Sequence, residues 1–214
     1  MPDVRVRPYR PDDRAAVRAI AFATGFMGEP IDWLWGDPES FGDVITRYYT
    51  DQEPESLLVA EHAGVVVGYL SGCVDSAAAA GSAAREITRL ARRGAFLRPG
   101  IASFFWRSVT DVARDRGMRD DVLRDDRWPA HLHIDLLPAG RGKGLGRLLM
   151  EAWFARLREH ESPGVHLGTF AENANSLRFF SGVGFARHGA PVRVPGFRTR
   201  AGDRMHVQWM VRSL

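Results

Sequence analysis

The stretch HLHIDLLPAGRGKGLGRLLMEAW, His131–Trp153, constrains the fold more than any other part of the chain. His131–Leu137 has a strand's composition and stops at Pro138. Gly140–Gly146 is a glycine-rich turn, and Arg147–Glu159 continues as an amphipathic helix. Pro163–Gly164 then turns the chain into a second strand, Val165–Phe170. A second helix, Asn173–Val183, is closed by Gly184. Two strands joined through one crossover helix lie parallel in one sheet, so the spacing predicts a βαβα unit at the centre of a mixed α/β fold.

The flanking segments extend that unit. VRVRPY alternates as a strand, and Pro11–Asp12–Asp13 opens a helix to about Ala23. Ile31–Trp35 and Ser40–Thr50 read as short helices. Leu57–Glu61 and Val65–Cys73 form a hairpin through His62–Ala63–Gly64. Ser76–Ala84 is a loop or helix start. Arg85–Arg93 and Ala102–Arg116 follow as helices, with Phe104, Phe105, Val109 and Val112 along one stripe. Strands at Phe185–Val194 and Met205–Arg212 end the chain around a basic loop, PGFRTRAGDR. The 214 residues fit a single domain, 1–214, with residues 75–128 as a helical insert.

Composition narrows the function classes. Hydrophobic residues make up 45% and charged residues 26%, which excludes a disordered chain, a collagen and a disulfide scaffold. The lone Cys73 has no internal partner, so it reads as a small core residue and the chain as one of a reducing, cytoplasmic compartment. There is no 18-residue apolar run and no apolar segment in MPDVRVRPYRPDD, so neither a membrane span nor a secretion signal is expected. Lys143 is the sole lysine beside 28 arginines. The pI near 9.5 permits nucleic-acid binding, but no aromatic-interleaved basic motif accompanies it, and no nucleic-acid partner is expected.

The glycine turn carries the chemistry. Backbone N–H groups at a helix's positive end make an anion site, and glycines let the anion approach closely. Gly142, Gly144 and Gly146 supply that freedom; Arg141, Lys143 and Arg147 add positive charge. A nucleotide P-loop would need a hydroxyl residue after the lysine, where Gly144 stands. A dinucleotide fingerprint would need a G-x-G-x-x-G spacing that is absent.

The pattern R-x-x-G-x-G, here Arg141–Gly146, resembles the pyrophosphate loop of the GNAT family of acetyl-CoA-dependent N-acetyltransferases. The following GVHLGTFAENANSLRFFSGVGF is similar to the second half of that family's core, with Asn173, Phe180, Gly184 and Phe185 in the family's positions. HIDLLP and the closing VRSL look like the acetyltransferase-like domain of O-GlcNAcase and its stand-alone bacterial relatives. The resemblance spans nearly the whole chain and is weakest over residues 75–128. It implies a GNAT fold: a twisted mixed sheet of six to seven strands flanked by helices, with the helical insert between strands 3 and 4.

The resemblance also implies roles. Acetyl-CoA would bind between two splayed strands, with its pantetheine on Ile134, Leu136 and Leu137 and its pyrophosphate on Arg141, Gly142, Lys143, Gly144, Leu145, Gly146 and Arg147. Asn173, Ser176 and Phe180 would border the cofactor. The acetyl group would pass directly to an amine of unknown identity, a small molecule or a peptide lysine, with no metal. Such an amine must lose a proton before it attacks. His131, His133 and Asp135 share one strand face, about 6.6 Å apart at roughly 3.3 Å per residue. His133 is the expected base or relay, Asp135 its partner and His131 a third candidate; structural roles compete for all three. Phe180 stands where many family members carry a proton-donating Tyr. The alternative is therefore a pseudo-acetyltransferase that binds acetyl-CoA or a protein without turnover. Trp33, Trp35, Phe104, Phe105 and Trp106 read as core or as an acceptor pocket. The arginines of 85–127 and 187–204 read as solvated surface or as an anion site. The chain is expected to be a monomer or a homodimer.

Overall fold

The computed structural model describes residues 4–115 and 123–214. Its strands are β1 (Val4–Pro8), β2 (Leu57–His62), β3 (Val65–Cys73), β4 (Ala130–Leu136), β5 (Gly164–Phe170), β6 (Ala186–Arg198) and β7 (Arg204–Ser213). They form one sheet in the order β1-β2-β3-β4-β5-β7-β6, antiparallel except for β4 beside β5. The helices are α1 (Arg14–Thr24), α2 (Asp32–Trp35), α3 (Pro38–Asp51), α4 (Ser76–Ala79), α5 (Ser82–Arg92), α6 (Pro99–Arg114), α7 (Leu145–Glu159) and α8 (Ala174–Gly182). The insert between β3 and β4 is helical, as expected. Arg116, the expected helix end, and the rest of 116–122 lie outside the described residues.

Each face of the sheet has its own core. On one face α7 buries Leu145, Leu149, Met150, Trp153 and Leu157 at helical spacing against Leu132, Val165 and Met210. Trp153 fits because Gly72 has no side chain; a Cβ there would sit 2.3 Å from the indole. On the other face Val17, Ile20, Ile31, Leu34 and Trp35 join Tyr69, Ile101 and Phe104. Trp35 and Phe104 are thus core; Trp33 and Phe105 pack against it half-buried, and Trp106 is exposed.

The βαβ centre is where this sheet departs from a closed ladder. β4 and β5 pair only at Ala130–Val165 and His131–His166. Beyond that point β4 continues along β3 as far as Leu136, and β5 continues along β7 as far as Phe170. The two strands therefore diverge and leave a gap through the sheet. The Leu137 N–H donates to Val67 on β3, so strand alternation turns the main-chain groups of Ile134 and Leu136 into the gap. From the other side the Ala171 N–H donates to His206 on β7, which turns those of Gly168 and Phe170 inward.

Candidate active site

The gap opens into a cleft of about 1190 Å³ that reaches both faces of the sheet. His133, Ile134, Asp135, Leu136, Asn173, Ser176 and Phe180 line it, as do Arg141, Gly142, Gly144, Leu145, Gly146 and Arg147. His131, Leu137 and Lys143 do not line it.

One mouth is the glycine loop. Gly142 and Gly144 hold φ of +73° and +80°, and the space where a Cβ would project is open. Gly144 caps α7 in the left-handed conformation. The N–H groups of Gly142, Lys143, Gly144, Leu145, Gly146 and Arg147 find no acceptor among the described residues; internal bonding resumes at Leu148, which donates to Gly144. Consecutive free N–H groups at a helix start fit a pyrophosphate. Asn173 caps α8 through its Oδ1, which accepts the Ser176 N–H at 3.0 Å, so one residue is both a cap and a cleft wall.

Two loop residues differ from expectation. Gly146 lies inside the helix, and a Cβ there would meet the Phe179 ring at 3.1 Å, so its role is close helix packing rather than anion approach. Arg141 Nε donates to the Leu136 carbonyl at 2.9 Å, and Nη2 donates to the Gly28 carbonyl. The diverging strand leaves that Leu136 carbonyl without a ladder partner, and the guanidinium takes it. Arg141 therefore braces the mouth through two of its guanidinium nitrogens while still lining the cleft.

The other mouth carries His133 and Asp135. His133 opens to the cleft and makes no hydrogen bond with the described residues, while the surrounding protein and His166 push its imidazole down to about 4. The expected His133–Asp135 hydrogen bond is absent. Asp135 Oδ2 instead accepts the Tyr69 hydroxyl at 2.7 Å, from directly across on β3. Burial raises the Asp135 carboxyl, against the opposing pull of Tyr69, Thr24 and Arg141. His131 is fully engaged: Tyr49 Oη lies 2.7 Å from Nε2, and Ser76 Oγ lies 2.7 Å from Nδ1. Ser76 donates its proton to the Pro129 carbonyl, which leaves His131 donating from Nδ1 and accepting at Nε2. Burial holds this imidazole near 3. His131 is a structural strut and does not reach the cleft.

The rest of this mouth was not singled out from the sequence. Phe41 and Ile45 of α3 face Val192 and Val194 of β6 and Val207 and Trp209 of β7. The β6–β7 side is locked to the insert by Asp111, buried to 2% exposure. It takes both Arg198 guanidinium nitrogens at 2.7 and 2.6 Å and the Gly196 N–H at 2.9 Å. Arg193 pairs with Asp115 at 3.1 Å. These arginines are thus ion-paired struts, not an open anion patch. Among the described residues no group of side chains is arranged to hold a metal ion.

Comparison with known proteins places this architecture. Residues 122–185 match the acetyltransferase (GNAT) family. The crystal structure of SsHAT is 27% identical, with 99% of this chain and 98% of that one covered and a TM-score of 0.65. A putative acetyltransferase from Salmonella typhimurium, yncA, solved with its cofactor acetyl-CoA, is 19% identical over 99% and 94% of the chains at a TM-score of 0.57. An agmatine N-acetyltransferase is 19% identical over 99% and 100% at 0.60. The last two share the fold.

Proposed function

We propose that this chain, which carries a GNAT acetyltransferase domain and is an acyltransferase, moves an acetyl group directly from acetyl-CoA to an amine. One observation carries the reading. The gap between β4 and β5 joins a glycine loop with free N–H groups on one face of the sheet to a chamber holding a free histidine on the other.

Acetyl-CoA, when bound, supplies an acyl group activated as a thioester. The N–H groups of Gly142 to Arg147 hold its pyrophosphate at the positive end of α7. Main-chain groups of Ile134, Leu136 and Gly168 serve the pantetheine as strand edges serve a strand. The amine enters from the opposite mouth. Its nitrogen forms the bond to the acyl carbon as the carbon–sulfur bond breaks; the nitrogen loses a proton, and the sulfur leaves as thiolate and equilibrates with solvent protons. His133 is the proton acceptor, neutral throughout the working range because its basicity is depressed. Asp135, fixed by Tyr69, provides the negative charge that orients the incoming amine. Phe180 offers no proton, and none is required: a thiol of pKa about 8.5 departs readily as thiolate near neutral pH.

The test is acetyl-CoA-dependent acetylation of a primary-amine panel, read by thiol release and product mass over pH 6–10. The activity kcat/KM should rise with pH by about tenfold per unit below the amine's own pKa, because the free amine attacks. It should show no inflection at pH 6–7. An inflection there, or the absence of acetylated product from every amine, would contradict the reading.

A further inference from the structure

We infer that the acceptor is a primary monoamine on an apolar, uncharged body, and not a polyamine, a lysine-rich peptide or an amino acid. The inference rests on the acetyl-transfer reading above.

The walls of the acceptor mouth are apolar and come from three directions. Phe41 and Ile45 of α3, Val192, Val207 and Trp209 of β6 and β7, and Val112 of α6 all line it. Gly168 keeps the floor open for this arrangement. A Cβ there would sit 2.9 Å from Val207 and 3.1 Å from Trp209, so those two side chains pack directly over the backbone of Gly168. Such walls favour a neutral amine over an ammonium, which helps the nucleophile shed its proton.

Charge agrees. Among the described residues that line the cleft, Asp135 is the sole carboxylate. A monoamine can use it; a second cation on a polyamine or a basic peptide would find no partner. The nearby acids Asp111 and Asp115 are already held by Arg198, Arg204 and Arg193. Arg193 lines the same wall, but its charge is already balanced by Asp115, 3.1 Å from its Nη1. The apolar surface also continues outward. Trp106, Val109 and Val112 lie at i, i+3 and i+6 on α6 with 71%, 61% and 52% of their surface exposed, and Val112 belongs to both stripe and cleft. An apolar body too long for the chamber would therefore still meet apolar surface on leaving it.

The experiment compares n-alkylamines from propylamine to hexylamine, 2-phenylethylamine, spermidine and phenylalanine. Turnover is measured with acetyl-CoA, and amine binding is measured separately by calorimetry on protein loaded with CoA. Each added methylene should raise kcat/KM and affinity by about 2- to 4-fold. Spermidine and phenylalanine should fall at least about tenfold below hexylamine, consistent with an unpartnered charge entering an apolar site. Val112→Glu, at an exposed position that folds without difficulty, should raise the spermidine-to-hexylamine affinity ratio by about 2- to 5-fold, as one partly exposed ion pair does. A flat alkyl series, or a preference for spermidine or phenylalanine, overturns the inference. So does failure of every amine to bind the CoA-loaded protein. The expected binding order without turnover would leave the acceptor class standing and overturn the transfer reading instead.

Discussion

The two mouths of the β4–β5 gap are made of different material. At the cofactor mouth the contacts are main-chain: free N–H groups from Gly142 to Arg147 and the gap-facing strand edges at Ile134, Leu136 and Gly168. At the acceptor mouth they are side chains brought from α3, α6, β6 and β7, with His133 and Asp135 at the floor. The first depends on backbone conformation within a few consecutive residues. The second depends on elements up to about three-quarters of the chain apart holding position, which Asp111 secures by tying α6 to Gly196, Arg198 and Arg204. A main-chain site tolerates most side-chain changes but not a changed φ. A side-chain site responds to any shift of its walls.

That contrast can be broken by damaging each mouth separately. The largest effect is expected from Asp111→Ala, which strands Arg198 and Arg204 and should cost about 3–5 kcal/mol of stability. Denaturant unfolding measures this, and acceptor KM should rise while acetyl-CoA affinity is kept. Gly144→Glu does the reverse. It forces a side chain into positive φ and sets a carboxylate at the anion site, so acetyl-CoA binding should weaken by about 100-fold, or 2.7 kcal/mol, with the fold retained. His133→Gln should lower kcat by roughly 100-fold and leave acetyl-CoA affinity unchanged, as expected when a positioned base is lost.

Smaller still is the response of stability to pH. His131 and His166 have folded pKa values lowered by burial, so the unfolded chain takes up protons first as pH falls through 6.5. Stability should therefore drop between pH 6.5 and 4.5, by up to about 1.4 kcal/mol per pH unit for each histidine. Asp13 and Asp111, whose carboxyls are held below the usual range by arginines, contribute only at lower pH. The raised carboxyl of Asp135 acts in the opposite sense and blunts the slope. A melting temperature constant over that window would contradict these assignments. The smallest effect is that of Phe180→Tyr. Restoring a hydroxyl should change kcat by less than about twofold if the thiolate leaves unaided.

The contrast also explains what the sequence shows and what it hides. The βαβα spacing, the hairpin, the Asn173 cap and the left-handed glycines of the loop are local, and each falls within a residue or two of its expected place. The face shared by His131, His133 and Asp135 is equally legible, because strand side chains alternate. Their partners are not. Side chains two apart along a strand are about 6.6 Å apart, whereas a directly opposed cross-strand pair is about 4.5–5.5 Å apart. Tyr69 is opposed to Asp135 and wins it from His133, while Tyr49 and Ser76 claim His131 from α3 and the start of the insert. None of these pairings can be read before the β3–β4 register and the docking of α3 are known. Arg141 follows the same logic: its brace to Leu136 exists only because β5 turns away. Apart from Val112, which belongs to the stripe read on α6, the walls of the acceptor mouth come from segments where the sequence carries no local pattern beyond apolar residues, so they emerge only in the folded chain.

The central claim is that one gap between two diverging strands receives the cofactor on main-chain groups. Amide hydrogen exchange with and without acetyl-CoA tests it residue by residue. The account predicts that free amides at 142–147 and gap-facing amides at 134, 136 and 168 become protected together on binding, while those of β1 and β2 do not change. Binding of acetyl-CoA that leaves 142–147 and the strand edges exchanging as before would contradict it.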